Sequence, residues 1–177
     1  MNSSRIIFLV VFLAAVALCA GAALAERDDG RGSGGAEQPP PQADALYAKE
    51  CGACHLAYPP QFLPKRSWEK IMGALDRHFG ENASLDEAAR TKIRDYLAAN
   101  SAETGRSKTS RKILSSIRDS DTPLRISETP YFRHEHDEVR PEVFERKSVV
   151  SPANCGACHT GADKGDFDED RVRIPKN

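Results

Sequence analysis

An excess of either sign of charge is missing from this chain: 25 Lys+Arg stand against 26 Asp+Glu, for a formal net charge of −1. That balance leaves no basic face for nucleic acid. Aromatic residues are few, with seven Phe, four Tyr and one Trp among 177 residues. Side chains alone therefore supply little of the bulk that normally dominates a core. No βαβ pattern is present, which removes the usual setting of a thioredoxin-like C-x-x-C motif. No convincing strand alternation appears either. A long apolar run occurs once, near the N-terminus. Cysteine is also scarce, and four of the five cysteines fall into two identical pentapeptides.

Those pentapeptides are Cys51-Gly52-Ala53-Cys54-His55 and Cys155-Gly156-Ala157-Cys158-His159. C-x-x-C-H is the signature of covalent haem attachment. Two thiols add to the haem vinyl groups as thioethers, and the next imidazole becomes the proximal iron ligand. On a helical turn, positions i, i+3 and i+4 share one face and reach one porphyrin together. A zinc ribbon would place its second cysteine pair about 15–20 residues after the first, whereas Cys54 and Cys155 are far apart. Structural disulfides would not require a histidine after each pair. Two haem c groups are therefore expected. They would also fill much of the core that the scarce aromatics leave open.

The N-terminus fits that chemistry. Arg5 precedes an apolar run from Ile6 to Ala20, and Ala23-Leu24-Ala25 forms an A-x-A site before Glu26. This is a secretory signal pattern over residues 1–25. It lacks a twin arginine, which points to general export and a periplasmic protein. Cys19 falls inside the signal, and Leu18 before it argues against a lipoprotein. Residues 6–25 also approach the length of a membrane span, which would anchor the chain if the signal stayed uncleaved. Arg5 is the one charged residue of the segment, so its removal moves the formal charge from −1 to −2.

Residues 26–43 are rich in Gly, Pro and Asp and end on Pro39-Pro40-Pro41, the composition of a tether. A first haem unit is expected over 44–100. Its first helix would run from Asp44 through His55, before the prolines at 59, 60 and 64. Ser67 would cap a second helix with Trp68, Ile71, Met72, Leu75 and Phe79 on one arc, ending at Gly80. Ser84 to Glu87 reads as a capping box for a third helix ending near Asn100. Residues 101–123 read as a connection with a weak helix around Ile113, Leu114 and Ile117. A second haem unit is expected over 124–177, largely irregular, with helical stretches only near Phe132–Glu138 and Pro152–His159. The fold class is mostly α.

Two irons need two further ligands. Besides His55 and His159, the chain holds His78, His134 and His136. His78 is the expected distal ligand of the first haem. Met72 competes, but a helix carrying both sets them apart, and Met72 suits core filling. For the second haem, residue types and spacing do not choose between His134 and His136. Two imidazoles close an iron and lower its potential, and methionine raises it. Two closed haems leave no place for substrate, so the expectation is an electron carrier rather than an enzyme. The alternative is a small dihaem enzyme or ligand sensor with one open iron. A peroxidase-like chemistry would then draw on Glu135 and the spare histidine. Lys65, Arg66 and Arg77 are candidate propionate or docking contacts, with solvated charge as the plainer account.

The chain resembles the small exported dihaem cytochromes c that pass electrons to an oxygen-binding monohaem cytochrome c. The likeness runs from about Ala45 to Pro175. It is carried by Glu50 through Pro60, Leu63-Pro64, Arg66-Ser67-Trp68, His78 through Leu85 and Tyr96-Leu97. In the second half it includes Arg125 through Pro130, His136, Asn154 through His159 and Ile174-Pro175. The resemblance implies an N-terminal class I cytochrome c-like unit and an irregular C-terminal unit, each with bis-histidine ligation. It places the distal ligands on His78 and on His136 ahead of His134. It also implies docking to a partner cytochrome, while low-potential ligation separately suggests a quinol-linked or cytochrome donor upstream. The Ser/Arg-rich stretch from Ser101 to Lys112 and the extra His134 fall outside the likeness.

Overall fold

The structure is a computed structural model that describes residues 44–176. The signal at 1–25 and the tether at 26–43 lie outside the described residues. The described residues belong to one compact unit.

Helix α1 (Ala45–Cys51) starts where the Asp44 carboxylate accepts the amides of Leu46 and Tyr47, the usual way to satisfy orphan N–H groups. It stops four residues before the expected end at His55. Gly52 closes it with an N–H to the Ala48 carbonyl, and a turn follows. Helix α2 (Lys65–Met72) begins two residues before the expected Ser67 cap. Pro64, at φ −68°, already has the backbone of a helix entry. Ser67 instead lies inside the helix, fully buried.

Gly73 ends α2, so the expected helix to Phe79 is broken. Leu75–Arg77 forms a separate 3₁₀ turn that ends on His78. Phe79 follows at φ +54° and Gly80 at φ +106°. A helix cannot pass through those angles, and Gly80 takes its angle at little cost because it lacks a Cβ.

Helix α3 (Glu87–Ala99) is capped by Asp86, whose carboxylate accepts the Ala89 amide, rather than by the expected Ser84 box. Helix α4 (Lys108–Ser116) is firmer than the expected weak helix, because Ser107 caps it. Helix α5 (Pro130–Glu135) has Thr129 as its cap and Pro at its first position, both favourable there. A short helix α6 (Pro141–Phe144) was not expected. The rest of the C-terminal part is turns, including 3₁₀ turns at Cys155–Ala157, Ala162–Lys164 and Glu169–Arg171. Among the described residues the β-type pairing is an isolated bridge between His78 and Glu81. The mostly α architecture with a largely irregular C-terminal part is as expected.

Helices α2 and α3 pack together over a core of Tyr47, Leu63, Trp68, Ile71, Met72, Leu75, Ile93 and Leu97. Each fully buried aliphatic side chain there stabilises the fold by about 1.5–3 kcal/mol. Trp68 donates its indole N–H to the Pro60 carbonyl at 2.7 Å and so pins the loop after the first motif. A second cluster of Ala102, Ile113 and Ile117 forms under α4, with Phe62 and Tyr131 against it. Leu124 and Ile126 reach back onto the first core. Arg66 donates to the carbonyls of Asp121 and Arg118.

Candidate functional site

Two pairs of imidazoles face each other. His55, from the turn after α1, lies with its ring centre 6.1 Å from that of His78, and the planes are 19° apart. His159, after the second motif, lies 6.1 Å from His136, with planes 70° apart. A metal–imidazole bond is about 2 Å and a ring nitrogen sits roughly 1 Å from its ring centre, so two rings on one metal stand about 6 Å apart. The spacing at both pairs therefore fits one iron between two imidazoles.

Each ring is held by an aromatic neighbour. Tyr58 stacks on His55 at 4.9 Å and Phe79 meets His78 edge-on at 4.8 Å. Phe132 stacks on His136 at 4.0 Å, and Phe167 lies 5.4 Å from His159. Backbone carbonyls orient two of the rings. His55 Nδ1 is 2.7 Å from the Leu56 carbonyl, and His136 Nδ1 is 2.9 Å from the Phe132 carbonyl. Such bonds set which nitrogen is free to ligate. His159 Nδ1 is buried without a partner.

Burial holds His78 below the ordinary imidazole range, and the charges of His55 and Arg125 add to this. Burial likewise lowers His159, with His136 adding and Asp166 opposing. Both effects favour the neutral, ligating imidazole. Among the cysteines, Cys51 and Cys155 are pushed up to about 11, chiefly by burial. As free thiols they stay protonated at neutral pH and are poor spontaneous nucleophiles. Cys51, Cys155 and Cys158 are half-buried, and Cys54 is exposed.

The structure separates the competing histidines. His136 is half-buried against Phe132 and His159. His134 is 79% exposed and lies 3.9 Å from the Asp137 carboxylate. His134 leaves the end of α5 toward solvent, while His136 sits just past that end and turns inward. Met72 is buried in the first core at 2% exposure, where core filling was expected. Of the candidate contact cations, Arg66 is committed to backbone carbonyls between α2 and the 118–121 loop. Lys65 lies 3.7 Å from Glu69, and Arg77 lies 3.4 Å from Asp76.

The sequence reading missed the aromatic supports and Arg125. The Arg125 guanidinium covers the exposed Phe79 ring at 4.0 Å, outside the first imidazole pair. It missed Tyr58 as well. That phenol donates to the Ala153 carbonyl at 2.7 Å, although 95 residues separate the two. Burial pushes its pKa up to about 12, so it remains a donor. A tyrosine and two prolines within five residues of an attachment motif were the available signal.

The family model for dihaem cytochrome c matches residues 47–167. Among solved structures, the chain is similar to the diheme cytochrome c from Rhodobacter sphaeroides. Identity is 49%, 71% of this chain and 98% of that chain are covered, and the TM-score is 0.64. A diheme cytochrome type c from Shewanella baltica is 37% identical over 74% of this chain and 92% of that one, with a TM-score of 0.61. No curated protein matches the chain.

Proposed function

The chain belongs to the dihaem cytochrome c family, and on that footing we propose that it is a periplasmic carrier whose two irons are each closed by two histidines. The two haem c groups and an electron-carrier role come with the family, and Cys51, Cys54, Cys155 and Cys158 fit two attachment sites. The proposed ligand pairs are His55 with His78 and His159 with His136. The observation that carries this reading is the common 6.1 Å spacing of both imidazole pairs.

A bound haem supplies a one-electron Fe(III)/Fe(II) couple. The chain does the rest. Its thiols would hold each group in place, and its four imidazoles would ligate the two irons and favour low potentials. The aromatic neighbours keep the rings from turning. With no open iron there is no bond chemistry, so the proposed role is transfer without catalysis. Redox proteins are the partners that fit. The resemblance implies an oxygen-binding monohaem cytochrome c as acceptor, and low-potential ligation suggests a quinol-linked or cytochrome donor upstream. Export rests on the signal pattern at residues 1–25.

The test is the optical spectrum of the holoprotein, oxidised and dithionite-reduced, with and without carbon monoxide. Two low-spin haems and no shift with carbon monoxide are expected. A high-spin component, or a shift worth one haem, would overturn the closed-iron reading.

A further inference from the structure

We propose that Tyr58 is the positioning residue that wires the two sites together for intramolecular electron exchange. The proposal rests on the electron-carrier reading and adds a route to it. The Tyr58 ring lies on the His55 ring with centres 4.9 Å apart and planes 24° apart. Its hydroxyl donates to the Ala153 carbonyl at 2.7 Å. The same carbonyl accepts the backbone N–H of Cys155 at 3.1 Å, and the Cys155 Sγ lies 3.7 Å from it. One carbonyl thus joins the phenol of the first site to the attachment cysteine of the second. Once Cys155 is a thioether it loses its S–H, but its N–H bond to Ala153 does not depend on the thiol.

The route therefore runs from the His55 imidazole across a ring stack and through the phenol. Two hydrogen bonds at one carbonyl follow, and then the Cys155 side chain. Tunnelling decays less steeply along bonds and hydrogen bonds than through space, so this chain of contacts favours exchange between the sites. One electron leaves one iron, which is oxidised from Fe(II) to Fe(III), and the other iron is reduced by the same electron. No bond is made or broken, and no proton moves. A low-potential reductant supplies the electron first. Phe62 provides a contact on the same loop, 4.9 Å from Phe167, which lies 5.4 Å from His159. That contact supports the second site, whereas Tyr58 touches a histidine of the first.

The test injects one electron per holoprotein by pulse radiolysis with methyl viologen and follows its concentration-independent redistribution. Wild type is compared with Tyr58→Phe, which keeps the ring and removes the hydroxyl, and with Tyr58→Leu, which removes both. The expected result is an exchange phase slowed severalfold in Tyr58→Phe and further in Tyr58→Leu. Tyr58→Phe keeps the ring that stacks on His55, so in that variant both haems should stay low-spin with unchanged spectra. A purely structural tyrosine would lower the melting temperature and leave the exchange rate alone, and that outcome overturns the proposal. If wild type itself shows no exchange phase, the Tyr58 route is overturned, while the carbon monoxide test decides the carrier reading separately. A wild-type phase that Tyr58→Phe leaves unchanged overturns the Tyr58 assignment alone.

Discussion

The pentapeptide Cys-Gly-Ala-Cys-His occurs twice in this chain, on two different backbones. The first copy begins on the last residue of α1 and leaves it through a turn. The second forms a 3₁₀ turn, Cys155–Ala157, amid irregular chain. A Cβ built on Gly52 would strike the Ala48 carbonyl, while one on Gly156 would meet nothing within 4 Å. The paired rings differ too, being nearly parallel at the first site and steeply crossed at the second. The motif thus needs only the local order of thiols and imidazole, and the surroundings decide how the facing imidazole arrives. At the first site it arrives on a 3₁₀ turn braced by the α2–α3 core. At the second it arrives just past the end of a six-residue helix.

Removing a distal ring should break the comparison most completely. His78→Ala and His136→Ala are each expected to open one iron. Each variant should gain a carbon monoxide shift worth one haem. Electron paramagnetic resonance should separate the sites as well. Parallel imidazoles split the iron d orbitals strongly and give a rhombic signal, whereas crossed rings give a more anisotropic one. His78→Ala should remove the rhombic signal and His136→Ala the anisotropic one. The opposite pattern would refute the assigned ring geometry.

A methyl group should sharpen the contrast between the motifs next. Gly52→Ala is expected to destabilise the holoprotein by about 1–3 kcal/mol, the cost of forcing atoms into filled space. Gly156→Ala should stay within about 0.5 kcal/mol of wild type. Denaturant melts of the two variants measure this, and equal destabilisation would contradict the two backbones described.

Thr129→Val probes the second site alone. Thr129 is 1% exposed, accepts the Phe132 amide at 3.2 Å and donates to the Ile126 carbonyl at 2.8 Å. Loss of that cap should cost about 1 kcal/mol and broaden only the anisotropic signal. Broadening of both signals would show that α5 supports both sites. The smallest effect is expected from His134→Ala, since that ring is 79% exposed. Spectrum, carbon monoxide response and melting point should all match wild type. A new carbon monoxide shift would make His134 the ligand in place of His136.

Much of this was legible in residue order. The attachment sites follow from strictly local chemistry, and the apolar arc of Trp68, Ile71, Met72 and Leu75 does point into the core. Boundaries were less legible. Pro64 and Gly73 shifted both ends of α2, because backbone limits at single residues outweighed the longer apolar period. Asp86 took the cap expected of Ser84, since nearby polar side chains compete for the same few N–H groups. The α4 helix looked weak because part of its support comes from Ala102, Phe62 and Tyr131, which lie outside the helix.

By itself, then, the sequence pointed to two haem c groups and to two C-x-x-C-H motifs whose four thiols fit their attachment. Within each motif the partners lie within five residues of each other, and so need no fold to meet. Only the tertiary structure decided that His136 turns to His159 while His134 faces water. Residue spacing cannot show which side of a short helix end is covered. It also decided that Tyr58 bonds to Ala153 across 95 residues. No local rule reports a contact that exists only once the two halves have packed.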